Sequence, residues 1–196
     1  MEKVKNIEIN ELIFEGEYIN GEKSGKEKEY YDNGKLLFKG EFINGRRNWY
    51  IREYNKEGKI LFEGEYLNGE RNGKGKEYGN NGILIFKGEY LNNKIWKGKG
   101  KEYGYNGILK YDGEYFNGER NVEGKEYYNN GNILFEGKFI NGKWNGMGNE
   151  YYKNGKIKYT GKFSEGKWNG KGKEYFPNGK IKFDGEFLNG EKKLNQ

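Results

Sequence analysis

The sequence predicts an all-β fold: an elongated, single-sheet antiparallel β-meander of about eight stacked β-hairpin repeats, each about 24 residues long. Three observations predict it. First, the pattern aromatic-x-Gly-x-aromatic recurs with steps of 24, 24, 24, 25, 24, 24 and 24 residues, from Phe14-Gly16-Tyr18 to Phe183-Gly185-Phe187. Second, within each copy the apolar residues alternate and then run into a turn dipeptide. That is the signature of a strand with one packed face, followed by a reversal. Third, the chain has 34 Gly, one Pro and no Ala, while 17% of its residues are aromatic. Helix is disfavoured, because the best helix former is missing and a strong breaker is everywhere. The aromatic content also separates the chain from disordered sequences, which its 34% charged residues alone would suggest.

The repeats begin near Leu12, Leu36, Ile60, Leu84, Leu109, Ile133, Ile157 and Ile181, and form one repeat domain over residues 1–196. The third shows the design. Ile60, Phe62, Gly64 and Tyr66 alternate along a first strand, Asn68-Gly69 supplies a turn with positive φ, and GKGKEY forms a second strand before the turn at Asn81-Gly82. Parallel pairing is excluded, since no connection is long enough for a crossover. Fifteen strands can be counted, which at about 4.8 Å each would stack to roughly 70 Å. Phe38, Phe62, Phe86, Tyr111, Phe135, Tyr159 and Phe183 are expected to line up as the buried core. Alternation leaves open which face of the second strand meets these rings. The single 25-residue step is assigned to an extra residue in the Asn92–Lys97 loop.

Composition removes several function classes. With no Cys there is no disulfide framework and no thiolate metal site, and with no His the commonest general base and metal ligand are absent. Carboxylates such as Glu65 and Glu77 recur in register with Lys, which reads as a ladder of cross-strand ion pairs on the solvent face. The GKGK runs sit on strands, whereas phosphate-cradling loops open a helix. No catalytic residue, cofactor or metal is expected, and the chain is read as non-enzymatic. The N-terminus lacks a signal-like apolar run, so a cytoplasmic protein is expected, with peripheral membrane attachment as the alternative.

The string FEGEYLNGERNGKGKEY resembles a MORN repeat, with Phe62, Gly64, Tyr66, Gly69, Gly73 and Gly75 at the family's positions. Glu150–Tyr159 is similar to the bacterial, antitoxin-like variant of that repeat. The resemblance covers about Leu12 to Leu188. It implies a non-enzymatic module that scaffolds, self-associates or sits near membranes, with anionic phospholipid as one implied ligand. Departures from the pattern include Trp49 and Ile51 in place of the glycine pair, Val122 in place of its first member, and Asn93 at a turn.

Surface recognition is expected along the hairpin tips. Lys23, Arg47, Arg71, Trp96, Arg120, Trp144 and Trp168 occupy equivalent places ahead of the glycine pair, a strip of cations and indoles. Twelve of the 36 basic residues but only six of the 30 acidic ones lie in residues 141–196, which accounts for the whole net charge of +6. Trp96, Lys143, Trp144, Lys167, Trp168, Lys171 and Lys173 are therefore the candidate recognition residues, suited to an acidic partner or an anionic membrane surface. The leading expectation is a protein-interaction scaffold whose partner the sequence does not identify. The alternatives are a peripheral anionic-phospholipid binder and an antitoxin-like inhibitor. Sheet edges offer a route to homo-oligomers, and no nucleic-acid recognition motif is present.

Overall fold

The structure is a computed structural model that describes residues 2–8, 11–104 and 107–193. Its fold is all-β, an open antiparallel sheet of consecutive hairpins with no helix among the described residues. The chain divides into two compact bodies, Met1–Gly98 and Lys99–Gln196.

In the first body the strands are β1 (Glu2–Glu8), β2 (Glu11–Ile19), β3 (Glu22–Tyr30), β4 (Leu36–Ile43), β5 (Arg46–Tyr54), β6 (Ile60–Leu67), β7 (Glu70–Tyr78) and β8 (Leu84–Leu91). Strand β9 (Lys94–Tyr103) crosses the boundary between the bodies in sequence. The second body continues with β10 (Leu109–Phe116), β11 (Glu119–Tyr127), β12 (Ile133–Ile140), β13 (Lys143–Tyr151), β14 (Ile157–Ser164), β15 (Lys167–Tyr175), β16 (Ile181–Leu188) and β17 (Glu191–Lys192). Among the described residues, seventeen strands replace the fifteen read from the sequence. The additions are β1, which pairs with β2 although it carries no copy of the repeat, and the two-residue β17.

Strand pairing settles which face of the second strand meets the rings. Phe62 on β6 lies opposite Glu77 on β7, Gly64 opposite Gly75, and Tyr66 opposite Arg71. The ring face therefore carries Phe62, Gly64, Tyr66, Gly75 and Glu77, while Glu63, Lys74, Lys76 and Tyr78 point the other way. Glu77 thus belongs with the rings rather than with Glu65 on a solvent-side ladder, a correction to the expectation from spacing. The side chains at i and i+4 of each first strand meet edge to face, as in Phe62–Tyr66 (5.7 Å) and Phe135–Phe139 (5.3 Å). The first ring also reaches the second ring of the next repeat, as in Phe62–Tyr90 (5.3 Å) and Phe135–Phe163 (5.1 Å). Such edge-on pairs are favoured by the ring quadrupole.

The two glycines of each pair do different work. A Cβ on Gly75 would stand 2.7 Å from the Phe62 ring, so the second glycine makes room for the ring to cross the backbone. The first glycine sits at the bulge where register shifts between Gly64 and Tyr66, and Gly73 there has φ +100°. Trp49 (φ 62°) and Val122 (φ 66°) hold the same left-handed conformation without the freedom of glycine. Hairpin turns within the repeats are tied to the preceding repeat, as where Gly45, Gly69 and Gly142 donate their amides to the carbonyls of Lys23, Arg47 and Arg120.

Phe38, Phe62, Phe86, Tyr111, Phe135 and Tyr159 are buried as predicted. Phe183 is only half-buried. Its outer neighbour β17 pairs only at Phe187 and Leu188, leaving the Lys192 ammonium 5.2 Å from the ring as its cover. The inserted residue is also placed differently. The turn at Asn92-Asn93 has the usual two positive-φ residues, and the extra residue lengthens β9 to ten residues.

Candidate interaction surface

The row of tip residues covers the core rings. Lys23 lies over Phe14 (4.4 Å), Arg47 over Phe38 (4.3 Å), Arg71 over Phe62 (4.0 Å) and Arg120 over Tyr111 (4.4 Å). Trp144 stacks on Phe135 and Trp168 on Tyr159, each with 4.5 Å between centroids and 5° between planes. Cation and indole serve the same purpose, since either presents a flat or positive surface to the face of an aromatic ring. Trp96 is half-buried on β9.

Arg71, Arg120, Trp144 and Trp168 are each held by a carboxylate from the Glu-Tyr marker of the preceding repeat, whereas Lys23 pairs with Glu29 of its own repeat (2.5 Å). The Arg71 guanidinium donates to Glu53 (2.7 Å) and that of Arg120 to Glu102 (2.8 Å). The indole N–H of Trp144 donates to Glu126 (2.6 Å) and that of Trp168 to Glu150 (2.8 Å). Where the second ring is a tyrosine, its hydroxyl joins the same acid, as Tyr66 does with Glu53 (2.7 Å) and Tyr115 with Glu102 (2.7 Å). Hydrogen bonding from Arg120 holds the Glu102 carboxyl below the usual carboxylate range. Burial pushes the Tyr66 phenol up to about 12. Glu102 therefore stays ionised and Tyr66 neutral near neutral pH.

The structure separates the predicted recognition residues into two sets. Trp144 and Trp168 lie on the ring face, with one indole face stacked and the N–H engaged. Lys143 and Lys167 precede them in sequence and so point to the opposite face, which Lys171 and Lys173 share. Lys143 pairs with Glu165 (2.5 Å) and Lys173 with Asp184 (2.9 Å). The matched Lys-Trp tips expected from sequence spacing are not formed.

Sequence reasoning missed an apolar row on this opposite face. Ile19, Ile43, Leu67 and Leu91 in the first body are 42–54% exposed, and Phe116, Ile140 and Leu188 in the second are comparably exposed. Each stands just before its turn. The signal was available, because that place holds Ile, Leu or Phe in every repeat except at Ser164.

A model of the MORN repeat matches residues 62–83, 111–133, 135–157 and 159–181, and a model of the MORN repeat variant matches residues 23–44. The chain belongs to the MORN repeat family. The matched MORN segments run from the first ring of one hairpin to the turn preceding the next, so the family signature coincides with the ring, glycine and turn positions described above. A comparison with curated proteins found no match. MORN repeats are commonly interaction scaffolds, generally without enzymatic activity, and no helix among the described residues is long and apolar enough to cross a membrane.

Proposed function

We propose that this chain is a non-enzymatic cytoplasmic scaffold that binds a protein partner on the face opposite its aromatic core. The observation that carries the reading is the exposed row Ile19, Ile43, Leu67 and Leu91. Repeat spacing sets these side chains about 10 Å apart, two strand spacings. Contiguous exposed apolar surface rimmed by polar groups marks interaction sites, and here Glu22, Arg46 and Glu70 lie directly across the hairpins from Ile19, Ile43 and Leu67. The row has no part in the core, so changing it should spare the fold. Ile43→Lys combined with Leu67→Lys is expected to leave thermal unfolding unchanged and to abolish capture of the partner from native cells. Retained capture by a folded double variant would refute the reading.

A second reading, attachment to anionic phospholipid, is favoured by one arrangement in the second body. Lys162 and Lys171 share the polar face with Ile140 and Met147, both well exposed, and Met147 lies directly opposite Lys162. Apolar tips with flanking cations suit an acidic interface. Sedimentation with phosphatidylserine vesicles tests it: Lys162→Glu with Lys171→Glu should abolish pelleting, and unchanged pelleting would remove this reading.

A further inference from the structure

On the polar face of the first body, acids and bases pair across neighbouring strands, and the alternation fails at Lys39 and again at Lys87, which lies opposite Lys76. Glu15 lies opposite Lys28, Lys28 opposite Lys39, Lys39 opposite Arg52, Arg52 opposite Glu63, and Glu63 opposite Lys76. Lys28 is paired with Glu15 (3.1 Å), and Arg52 (3.3 Å) and Lys76 (2.9 Å) with Glu63. Lys39 therefore faces a cation on both sides, and among the described residues it has no ion-pair partner. Like charges directly opposite in a ladder destabilise it. Five of the other repeats show the ordinary solution, with Glu15, Glu63, Asp112, Glu136 and Asp184 at the equivalent place, while Lys87 and Thr160 hold it in the remaining two. In the second body Lys125 stands opposite both Asp112 and Glu136 and pairs with Glu136 (3.1 Å).

A second departure sits beside the first. Tyr50 occupies a place held by Lys26, Lys74 and Lys171 in other repeats, and it is 52% exposed. Its hydroxyl donates to Glu63 (3.0 Å), which fixes the ring at the wall of an open groove of about 990 Å³. Lys28, Lys39 and Arg52 line this groove, and Glu17 and Glu41 line it as well. A groove of this size accommodates a small organic ligand.

The geometry points to a binding site for a small hydroxylated organic phosphate, such as a sugar phosphate, in the groove over β2 to β5. The phosphate sits at Lys39, in the field of Lys28 and Arg52, and supplies the negative charge that the ladder lacks there. Glu17 and Glu41 accept hydrogen bonds from the hydroxyls, and the Tyr50 ring packs against the apolar face of the sugar. Because the groove is open, binding weakens as salt screens the cations. This site is separate from the apolar row and does not depend on the protein-docking reading.

Calorimetric titration of the full chain at low salt with glucose 6-phosphate, and in parallel with inorganic phosphate, tests the site. Saturable binding of both is expected, tighter for the sugar phosphate. Lys39→Glu gives the ladder the acid most repeats carry here. It should weaken binding by about tenfold or more while leaving the unfolding midpoint unchanged or raised, so that lost binding is not lost fold. Lys180→Glu, in the second body, should leave the titration unchanged. The inference is overturned if the natural chain shows no saturable binding, if Lys39→Glu binds as well as the natural chain, or if Lys180→Glu weakens binding equally. Capture by phosphatidylserine vesicles with no binding of the soluble phosphates would also overturn it, by assigning the cations to a lipid surface.

Discussion

Glu27 stands where later repeats place the second glycine of the pair, and it is 2% exposed with neither carboxylate oxygen hydrogen-bonded. Its side chain crosses Gly16 beside the Phe14 ring: a Cβ on Gly16 would meet Glu27 Cγ at 2.7 Å and Phe14 Cζ at 2.6 Å. Burial raises its pKa to about 7; Lys23 and the Ser24 backbone lower it, and Glu29 raises it further. Below the ordinary carboxylate pKa both folded and unfolded chains hold the proton, and the group contributes no pH dependence. As pH rises from about 4.5 to about 7 the unfolded chain releases its proton first, so stability falls, and above that range the loss is complete at about 3 kcal/mol. Glu27→Ile installs the residue that the second repeat uses as Ile51, which is fully buried. Denaturant unfolding at a series of pH values should show the gain from Glu27→Ile growing by about 3 kcal/mol between pH of about 4 and about 8. A difference between the two proteins that does not vary with pH would refute the reasoning, since it would mean that Glu27 titrates in the folded chain as it does in the unfolded one.

The remaining predictions concern the core and its covers. Trp168→Ala should destabilise the second body by about 3 kcal/mol, since it opens the stack on Tyr159 and removes a donor from Glu150; unfolding monitored by circular dichroism checks this. Phe86→Ala should cost about 3–5 kcal/mol, the range for deleting a buried ring, and an unmoved melting curve would contradict the ring column. Val122→Gly should stabilise by about 1 kcal/mol, because Val122 holds a left-handed φ that a β-branched residue resists; a loss of stability in the same measurement would show that its side chain compensates for the strain.

The repeat, its turns and the first-strand rings were legible in the sequence because each is local. Asn68-Gly69 specifies its own reversal, and Phe62, Gly64 and Tyr66 share a face through period-2 geometry alone. The same reasoning located the glycine pair and the tip residues but misjudged what they touch. A second strand such as GKGKEY alternates glycine and acid with lysine, so either side could face the rings. Only the pairing of Gly64 with Gly75, shifted by the bulge at Gly73, decides that Glu77 faces inward. That choice places Trp144 and Trp168 over Phe135 and Tyr159 and sends Lys143 and Lys167 to the other face. Lys39 likewise looks ordinary in its own strand and becomes anomalous only between Lys28 and Arg52, which lie 11 and 13 residues away along the chain. Sequence periodicity fixes which residues share a face of one strand, whereas the charges and rings that meet across strands are set by the ladder register, which belongs to the tertiary structure.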